Sequence, residues 1–313
     1  MKAAVYGAQG LEIRDIPKPR IQPSQMLVRV RYASLNRRDL TRVKGDEGTV
    51  PGLDYAGEVA EVGAEVKGFK VGDPVMCLAA GGYAEYAVAE PGQSLILPKG
   101  LSMEAAATLP AALLTMHDAL ITNGRLKPGE TVLIQGASSG VGLLALQIAK
   151  LKGASLVAGS SRNSREKLKA FGADVALDPN DPGWVESLTK ATDGKGVDLV
   201  IDQVSGKLFN QTQQATAIGG RIVNVGRLGG MTAEFDFNLH ALRRLHYIGV
   251  TFRTRSREEV REIARRAQAD LWPALEAGKL RLPVDKVYPL DEADAAHRRM
   301  RANEHFGKIL LMI

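Results

Sequence analysis

A glycine-rich turn directly after an apolar strand constrains the fold of this chain most. Residues 131–135 read TVLIQ, and a helical run to about residue 152 follows the turn. The turn consists of Gly136, Ala137, Ser138, Ser139, Gly140, Val141 and Gly142. Its G-x-x-x-G-x-G spacing is a relative of the dinucleotide fingerprint, in which glycines allow a tight turn and a close approach of the pyrophosphate. The N–H groups and the dipole of the helix start then bind the anion.

The context of this turn favours a nucleotide site over an ordinary glycine turn. From residue 130, short β-branched apolar runs alternate with helical segments; the runs are TVLIQG, SLVAGS, DVALD, VDLVID and RIVNVG. Strands that are apolar throughout are typical of a parallel sheet covered by helices on both faces. We therefore predict a doubly wound α/β domain with a dinucleotide at the carboxyl ends of its strands.

The end of the second strand indicates which dinucleotide binds. An NAD site carries an acid about twenty residues past the glycines, but in GSSRNSREK (residues 159–167) no acid precedes Glu166. Four residues there offer hydroxyl or guanidinium groups that suit a 2′-phosphate: Ser160, Ser161, Arg162 and Arg165. We predict NADPH rather than NADH. The alternative is that both arginines are merely exposed residues at a helix start.

A second glycine loop is expected near the nicotinamide end of the cofactor. IVNVGRLGG (residues 222–230) ends a strand, and ligands bind beyond the carboxyl ends of such strands. We assign Gly226 and Leu228 to the cofactor site, together with Phe252 at the end of the later run YIGVTF. An ordinary glycine turn is again the alternative.

The 313 residues exceed what one core usually serves, so two domains are expected. The first third contains short alternating runs separated by glycine and proline, as in MLVRVRYASL, AGEVAEVG and GDPVMCL. These predict a small antiparallel β domain. A final helix and strand, DEADAAHRRMRANEHFGKILLMI, is predicted to return to it. The predicted domains are residues 1–115 with 253–313, and residues 116–252.

Charge and cysteine content restrict the partners. The net charge of +6 arises from 41 basic and 35 acidic residues that are mostly interleaved, as in SREEVREIARRAQAD. This pattern is typical of solvated helix faces, so no nucleic-acid partner is expected. The single cysteine, Cys77, excludes an internal disulfide and a zinc site of several cysteines. No apolar run reaches the length of a signal peptide or membrane span, so we expect a cytoplasmic protein without a membrane partner.

Ten segments in order along nearly the whole chain resemble the medium-chain dehydrogenase/reductase superfamily, most closely its zinc-free, ζ-crystallin-like quinone oxidoreductase branch. They are ASLNRRDL, PGLDYAGEV, VGDPVM, GGYAEYAV, LPAALLTMHDAL, GASSGVGLLALQIAK, DQVSG, RIVNVGRLGG, GVTFRTRS and FGKILLMI. The resemblance implies a GroES-like β domain, built from both chain ends, around a Rossmann domain, with the active site in the cleft between them. It also implies a homodimer formed by pairing edge strands, for which residues 247–252 are the candidate.

The resemblance also bears on metal binding. The resemblance implies that, in the zinc-dependent branch, the catalytic metal is held by a cysteine near the position of Ser34, a histidine near Leu53 and a second cysteine near Ala111. This chain has none of these ligands at those positions. A catalytic zinc needs three protein ligands. We predict that no metal is used and that Asp54 braces the backbone.

Without a Lewis acid, an electrophilic small-molecule acceptor is expected, either a quinone or an α,β-unsaturated carbonyl compound. The family's Asn-x-x-Asp motif maps onto Asn36 and Asp39. Asn36 is predicted to donate a hydrogen bond to the developing oxyanion, and Asp39 to orient the loop or relay a proton. Thr115 matches a family threonine near the nicotinamide. The alternatives are that Asn36 caps a short helix and that Thr115 bonds to its own helix backbone.

The sequence also allows other functions. The tyrosines that often follow the motif in quinone reductases are absent from LTRVKGDEGTVPG. Tyr55 either compensates or is a packed core residue. An enone or 2-alkenal reductase without quinone activity is therefore an alternative. A non-catalytic NADPH-binding protein, structural or RNA-binding, is another, whereas the missing ligands argue against a zinc alcohol dehydrogenase.

Overall fold

The structure is a computed structural model that describes residues 1–41 and 45–313. It divides into two compact units, residues 1–111 with 257–313, and residues 112–256. The boundaries predicted from the sequence lie a few residues away, at 115/116 and 252/253. Part of the loop LTRVKGDEGTVPG, residues 42–44, lies outside the described residues.

The secondary structure follows the predicted alternation. In chain order the strands are β1 (Lys2–Tyr6), β2 (Leu11–Asp15), β3 (Met26–Ser34), β4 (Asp54–Val62), β5 (Pro74–Leu78), β6 (Tyr86–Ala89), β7 (Ser94–Ile96), β8 (Thr131–Gln135), β9 (Leu156–Ser160), β10 (Val175–Leu177), β11 (Val197–Asp202), β12 (Thr216–Asn224), β13 (His246–Gly249), β14 (Val284–Pro289) and β15 (Lys308–Met312). The α-helices are α1 (Met103–Ala107), α2 (Pro110–His117), α3 (Gly140–Leu151), α4 (Arg165–Leu168), α5 (Trp184–Ala191), α6 (Phe209–Ala215), α7 (Phe237–Arg243), α8 (Arg257–Glu276) and α9 (Ala293–Ala302).

The first unit is a β domain that both chain ends build. Its main sheet has the order β14-β15-β3-β4-β5-β7, with β6 also paired to β3. β3 is antiparallel to β4 with Ser34 opposite Asp54, and antiparallel to β15 with Leu310 opposite Ser34. This register gathers the end of β3 and the starts of β4 and β15 at one place in the sheet. The apolar faces pack into a core that includes Tyr83.

The second unit is a six-stranded parallel sheet of order β10-β9-β8-β11-β12-β13. Counted within the unit, this is the 3-2-1-4-5-6 order of the doubly wound dinucleotide-binding fold. The central strands are buried along almost their whole length, as continuous apolar runs require. The predicted fold class, a GroES-like β domain plus a Rossmann domain, is confirmed.

Two elements differ from the sequence-based expectation. The segment SMEAAATLPAALLTMHDALI (residues 102–121) has a helical composition with Ser102 placed to cap it, which predicts a single helix. It is not one helix: α1 ends at Ala107 and α2 begins at Pro110, because proline has no N–H and clashes with the preceding turn. The strand expected to reach Phe252 ends at Gly249, because its partner β12 ends at Asn224 and the chain turns away at Gly226. Among the described helices, none is long and apolar enough to cross a membrane.

Candidate active site and dinucleotide site

The predicted phosphate turn has the geometry of a tight strand-to-helix connection. Gly136 has a φ of 74°, which favours glycine. The hydroxyl of Ser139 accepts from the N–H of Gly142 at 3.0 Å and caps α3. A Cβ on Gly142 would lie 2.7 Å from the carbonyl oxygen of Gly136 and from Cα of Ala137. The start of α3 therefore presents backbone N–H groups, which suits an anionic pyrophosphate.

Two residues brace this turn from the sheet. Gln203, at the end of β11, accepts from the Ser139 hydroxyl at 2.9 Å and donates to the carbonyl oxygen of Gln135 at 3.2 Å. The Ser160 hydroxyl donates to Oε1 of Gln135 at 2.5 Å and accepts from the N–H of Gly136 at 3.1 Å. Because the hydroxyl proton of Ser160 is used internally, only a lone pair remains for a ligand.

The segment predicted to bind a 2′-phosphate follows β9. Ser161 is buried and its hydroxyl accepts from the N–H of Ser164 at 3.3 Å. Arg162 is exposed, whereas the guanidinium of Arg165 lies 3.6 Å from the carboxylate of Asp178. Of the two arginines, Arg162 is therefore the better candidate phosphate donor.

The second glycine loop packs against the brace of the phosphate turn. The N–H of Gly226 donates to the carbonyl oxygen of Asp202 at 3.1 Å, and the N–H of Leu228 to that of Gln203 at 3.3 Å. A Cβ on Gly226 would lie 2.6 Å from the Gln203 carbonyl oxygen. The structure thus brings Gly226 and Leu228 to the same end of the sheet as the phosphate turn.

Asn36 lies in the first unit, in a buried ionic network. Its Nδ2 donates to Oδ2 of Asp54 at 2.9 Å, and its Oδ1 accepts from Nζ of Lys308 at 3.1 Å. The same ammonium donates to Oδ2 of Asp54 at 3.1 Å. Oδ1 of Asp54 accepts from the N–H of Ala111 at 2.7 Å, so the prediction that Asp54 braces the backbone is confirmed.

Asp39 holds the turn that follows Asn36. Its Oδ2 accepts from the N–H of Asn36 at 2.8 Å and from the hydroxyl of Tyr83 at 3.1 Å. The Tyr6 hydroxyl donates to the Asp39 carbonyl oxygen at 2.7 Å. Burial raises the pKa of the Asp39 carboxyl to about 7, and the negative charge of Asp54 adds to the rise, while the two hydrogen bonds oppose it. Asp39 therefore changes charge near neutral pH.

The donors around Asp54 do not fit a zinc ion. Both carboxylate oxygens already accept hydrogen bonds, and the Lys308 ammonium within 3.1 Å would repel a second cation. Over residues 1–41 and 45–313, no group of three or more His, Cys, Asp or Glu could hold a metal. Burial raises the pKa of the Cys77 thiol to about 12, so it is a poor ligand and nucleophile.

The remaining predicted residues fall in different places. Thr115 is half-buried in α2, in the second unit, and Phe252 lies in the loop after β13. Tyr55 is fully buried with its hydroxyl donating to the carbonyl oxygen of Val88 at 3.2 Å, which confirms the core alternative. Lys308 was not predicted to lie in the site, although it is the only charged residue in the apolar run FGKILLMI.

Comparisons with known proteins agree with this arrangement. Residues 22–99 match the alcohol dehydrogenase GroES-like domain, and residues 140–269 match the zinc-binding dehydrogenase family. The chain is 30% identical to the quinone oxidoreductase of Sus scrofa over 310 residues, which span 96% of this chain and 92% of the relative. The chain belongs to the quinone oxidoreductase branch of the medium-chain dehydrogenase/reductase superfamily. It is therefore an oxidoreductase whose cofactor is a nicotinamide dinucleotide.

Two solved structures share the whole fold. The quinone oxidoreductase of Pseudomonas syringae pv. Tomato DC3000 is 26% identical with a TM-score of 0.88, and each chain is covered completely. The CurK enoyl reductase is 25% identical with a TM-score of 0.86 over 99% of both chains. This chain therefore shares its fold with both a quinone oxidoreductase and an enoyl reductase.

Proposed function

We propose that this protein is a metal-free, NADPH-dependent reductase of quinones or α,β-unsaturated carbonyl compounds. The observation that carries the proposal is the position of the Asn36 carboxamide. Lys308 and Asp54 hold it in a hydrogen-bond network whose atoms do not fit as ligands of a zinc ion. A carboxamide donates a hydrogen bond to a negatively charged oxygen but does not polarise an alcohol as a metal does. An acceptor that delocalises charge onto oxygen suits such a donor.

The residues that would hold the cofactor all lie in the second unit. The phosphate turn and the start of α3 would bind the pyrophosphate, and Arg162 would bind the 2′-phosphate. The loop carrying Gly226 and Leu228 would support the nicotinamide end, with Thr115 and Phe252 as further contacts. When bound, NADPH supplies the hydride. The protein contributes orientation and a hydrogen bond to the acceptor oxygen.

Two acceptor classes follow from the residues around the site. Tyr55 is buried in the core and is not available to stack on a quinone ring. An enone or 2-alkenal needs no such stacking, and the likeness to the CurK enoyl reductase favours this class as the second candidate. We therefore propose small electrophilic acceptors as substrates, with neither nucleic acid nor a membrane as partner.

We further propose that the protein is a homodimer joined at β13. This strand is the edge of the parallel sheet, and its residues are largely exposed. Nearby, Phe237, Leu242 and Tyr247 are exposed apolar side chains. An exposed edge with an apolar surround is a template for pairing with a second strand.

The experiment that tests the function is NADPH oxidation by the purified protein with graded benzoquinones, 2-alkenals and cyclic enones. Asn36→Ala should lower kcat by roughly 10²- to 10³-fold, the usual loss for an oxyanion donor. The affinity for NADPH should not change, because the residues proposed to bind it lie in the other unit. The exposed Asn180→Ala is the matched control. No turnover with any acceptor, combined with salt-dependent RNA retention, would instead support the non-catalytic alternative.

A further inference from the structure

Lys308 is a buried charge in an otherwise apolar strand. β15 reads KILLM, and the side chain of Lys308 is 5% exposed, while that of its partner Asp54 is fully buried. Burying an ammonium and a carboxylate carries a desolvation cost, and a well-packed apolar pair of similar volume is often no less stable. The ion pair is therefore weak evidence for a stabilising role.

The pair fixes the orientation of the Asn36 carboxamide. An ammonium only donates hydrogen bonds and an ionised carboxylate only accepts them. With Lys308 on Oδ1 and Asp54 on Nδ2, a flipped amide would lose both contacts. Nδ2 also donates to the carbonyl oxygen of Ser34, but at the long distance of 3.5 Å. One N–H is thus held in a defined place with little competition from the protein.

The pair also controls the charge beside that N–H. The Asp54 carboxylate lies 2.9 Å from Nδ2, where it would repel negative charge that develops on a nearby acceptor oxygen. The Lys308 ammonium, 3.1 Å from the same carboxylate oxygen, compensates this charge. By donating to Oδ1 it also draws electron density away from the amide nitrogen, which strengthens the remaining N–H as a donor.

We propose that Lys308 is a positioning residue that acts through Asn36. It holds the carboxamide in one orientation and cancels the charge of Asp54, so that Nδ2–H can stabilise an oxyanion. This inference rests on the proposed function, in which Asn36 is the donor. It goes beyond that function because it makes the buried ammonium a determinant of how poor an electrophile the enzyme can reduce.

The first test compares Lys308→Met, Lys308→Arg and the charge-free double variant Lys308→Met with Asp54→Asn. The acceptors are benzoquinones and enones of graded electrophilicity. Lys308→Met should lower kcat by about tenfold for strong electrophiles and by about 100-fold or more for weak ones, since weak electrophiles depend most on the oxyanion donor. Lys308→Arg should recover part of the loss. The exposed Lys286→Met on neighbouring β14 is the control and should match the wild type.

The double variant separates positioning from folding. Removing both charges avoids an uncompensated buried carboxylate, so its melting temperature should return to near that of the wild type. Its kcat for weak electrophiles should stay below that of the wild type, because the ammonium is still missing. A uniform loss across the acceptors in Lys308→Met that disappears in the double variant would show a purely structural role and overturn the inference.

A second measurement does not depend on turnover. In protein labelled with ¹⁵N-asparagine, the two Nδ2 protons of Asn36 should give separate, slowly exchanging signals, one of them shifted by Asp54. In Lys308→Met, these protons should exchange with solvent at least tenfold faster. The difference between their two chemical shifts should also be smaller. Unchanged signals would overturn the inference even if no acceptor is reduced. If only the proposed function is wrong, the protein will show no turnover, but the Asn36 signals will still be present and will still depend on Lys308.

Discussion

Tyr83 donates its phenolic hydrogen to Oδ2 of Asp39 over 3.1 Å, and both side chains are buried. The same carboxylate oxygen accepts the backbone N–H of Asn36 at 2.8 Å. Asp39 thus ties the backbone of the proposed oxyanion donor to the core of the β domain, while Lys308 and Asp54 hold its side chain. Two separate sets of contacts therefore fix Asn36, one through its backbone and the other through its side chain.

Asp39 should make stability fall as the pH rises towards neutrality. Its pKa is about 7 in the folded protein and about 4 in an unfolded chain. Between these values the unfolded chain has released the proton and the native state retains it. The contribution of Asp39 is therefore complete below about pH 4 and is lost by about pH 7.

Replacing this carboxyl with an amide should remove that dependence. Between about pH 5 and pH 7, the free energy of unfolding of Asp39→Asn should decline less than that of the wild type, by about 2 kcal/mol. Urea denaturation at several pH values measures the difference. Asp291→Asn, at an exposed position, is the control. Parallel pH profiles for Asp39→Asn and wild type would contradict the prediction.

His297 should have the opposite effect on the acid side. Burial lowers its pKa to about 4, with a further contribution from Arg301 that Asp294 opposes. Because the unfolded chain takes up the proton near pH 6.5, stability is complete above about pH 6.5 and is lost as the pH falls towards 4. His297→Phe keeps a ring against Tyr83, whose centroid is 5.8 Å away.

The His297→Phe variant should therefore resist acid better than the wild type. We expect its melting temperature to fall less between about pH 7.5 and pH 4.5, with up to about 3 kcal/mol of the acid-induced loss removed. Lys195→Gln, at an exposed position away from β13, serves as the control. If the variant and the wild type lose stability in parallel, the buried imidazole is not the cause.

The sequence predicted those parts of the fold that depend on local patterns. The apolar runs indicated the parallel sheet, and the glycine spacing at Gly136 to Gly142 located the strand-to-helix turn. The contacts of Lys308 have no such pattern, because it lies 272 residues from Asn36 and 254 from Asp54 along the chain. Only the register of β3, β4 and β15 brings these residues together. The brace at Gln203 was missed for the same reason.

Gly142 should tolerate no side chain. Its Cβ would press on the backbone of Gly136 and Ala137 at distances of 2.7–2.8 Å, and backbone in a tight turn cannot move aside cheaply. Gly142→Ala should weaken NADPH binding by at least about tenfold, because the helix start shifts away from the phosphate. Fluorescence titration measures the affinity. Gly183→Ala, where the nearest atom is 3.4 Å away, should bind as the wild type does.

The proposed dimer should depend on apolar side chains beside β13. Phe237 is 78% exposed, so Phe237→Lys should leave the fold intact while placing a charge in the interface. In sedimentation velocity, the wild type should be dimeric and the variant should shift towards monomer. Val71→Lys alters a similarly exposed apolar residue in the other unit and should remain dimeric. A monomeric wild type would rule out the dimer.

The two arginines after β9 should differ in their effect on cofactor choice. Arg162 is exposed, whereas the guanidinium of Arg165 lies 3.6 Å from the carboxylate of Asp178, which partly neutralises its charge. A hydrogen bond to a charged group contributes about 1.5–3 kcal/mol. Arg162→Ala should therefore weaken NADPH binding about tenfold or more and leave NADH binding unchanged, while Arg165→Ala should have a smaller effect. Parallel titrations of both variants with both cofactors test this. Equal affinity of the wild type for NADPH and NADH would show that GSSRNSREK does not bind a 2′-phosphate.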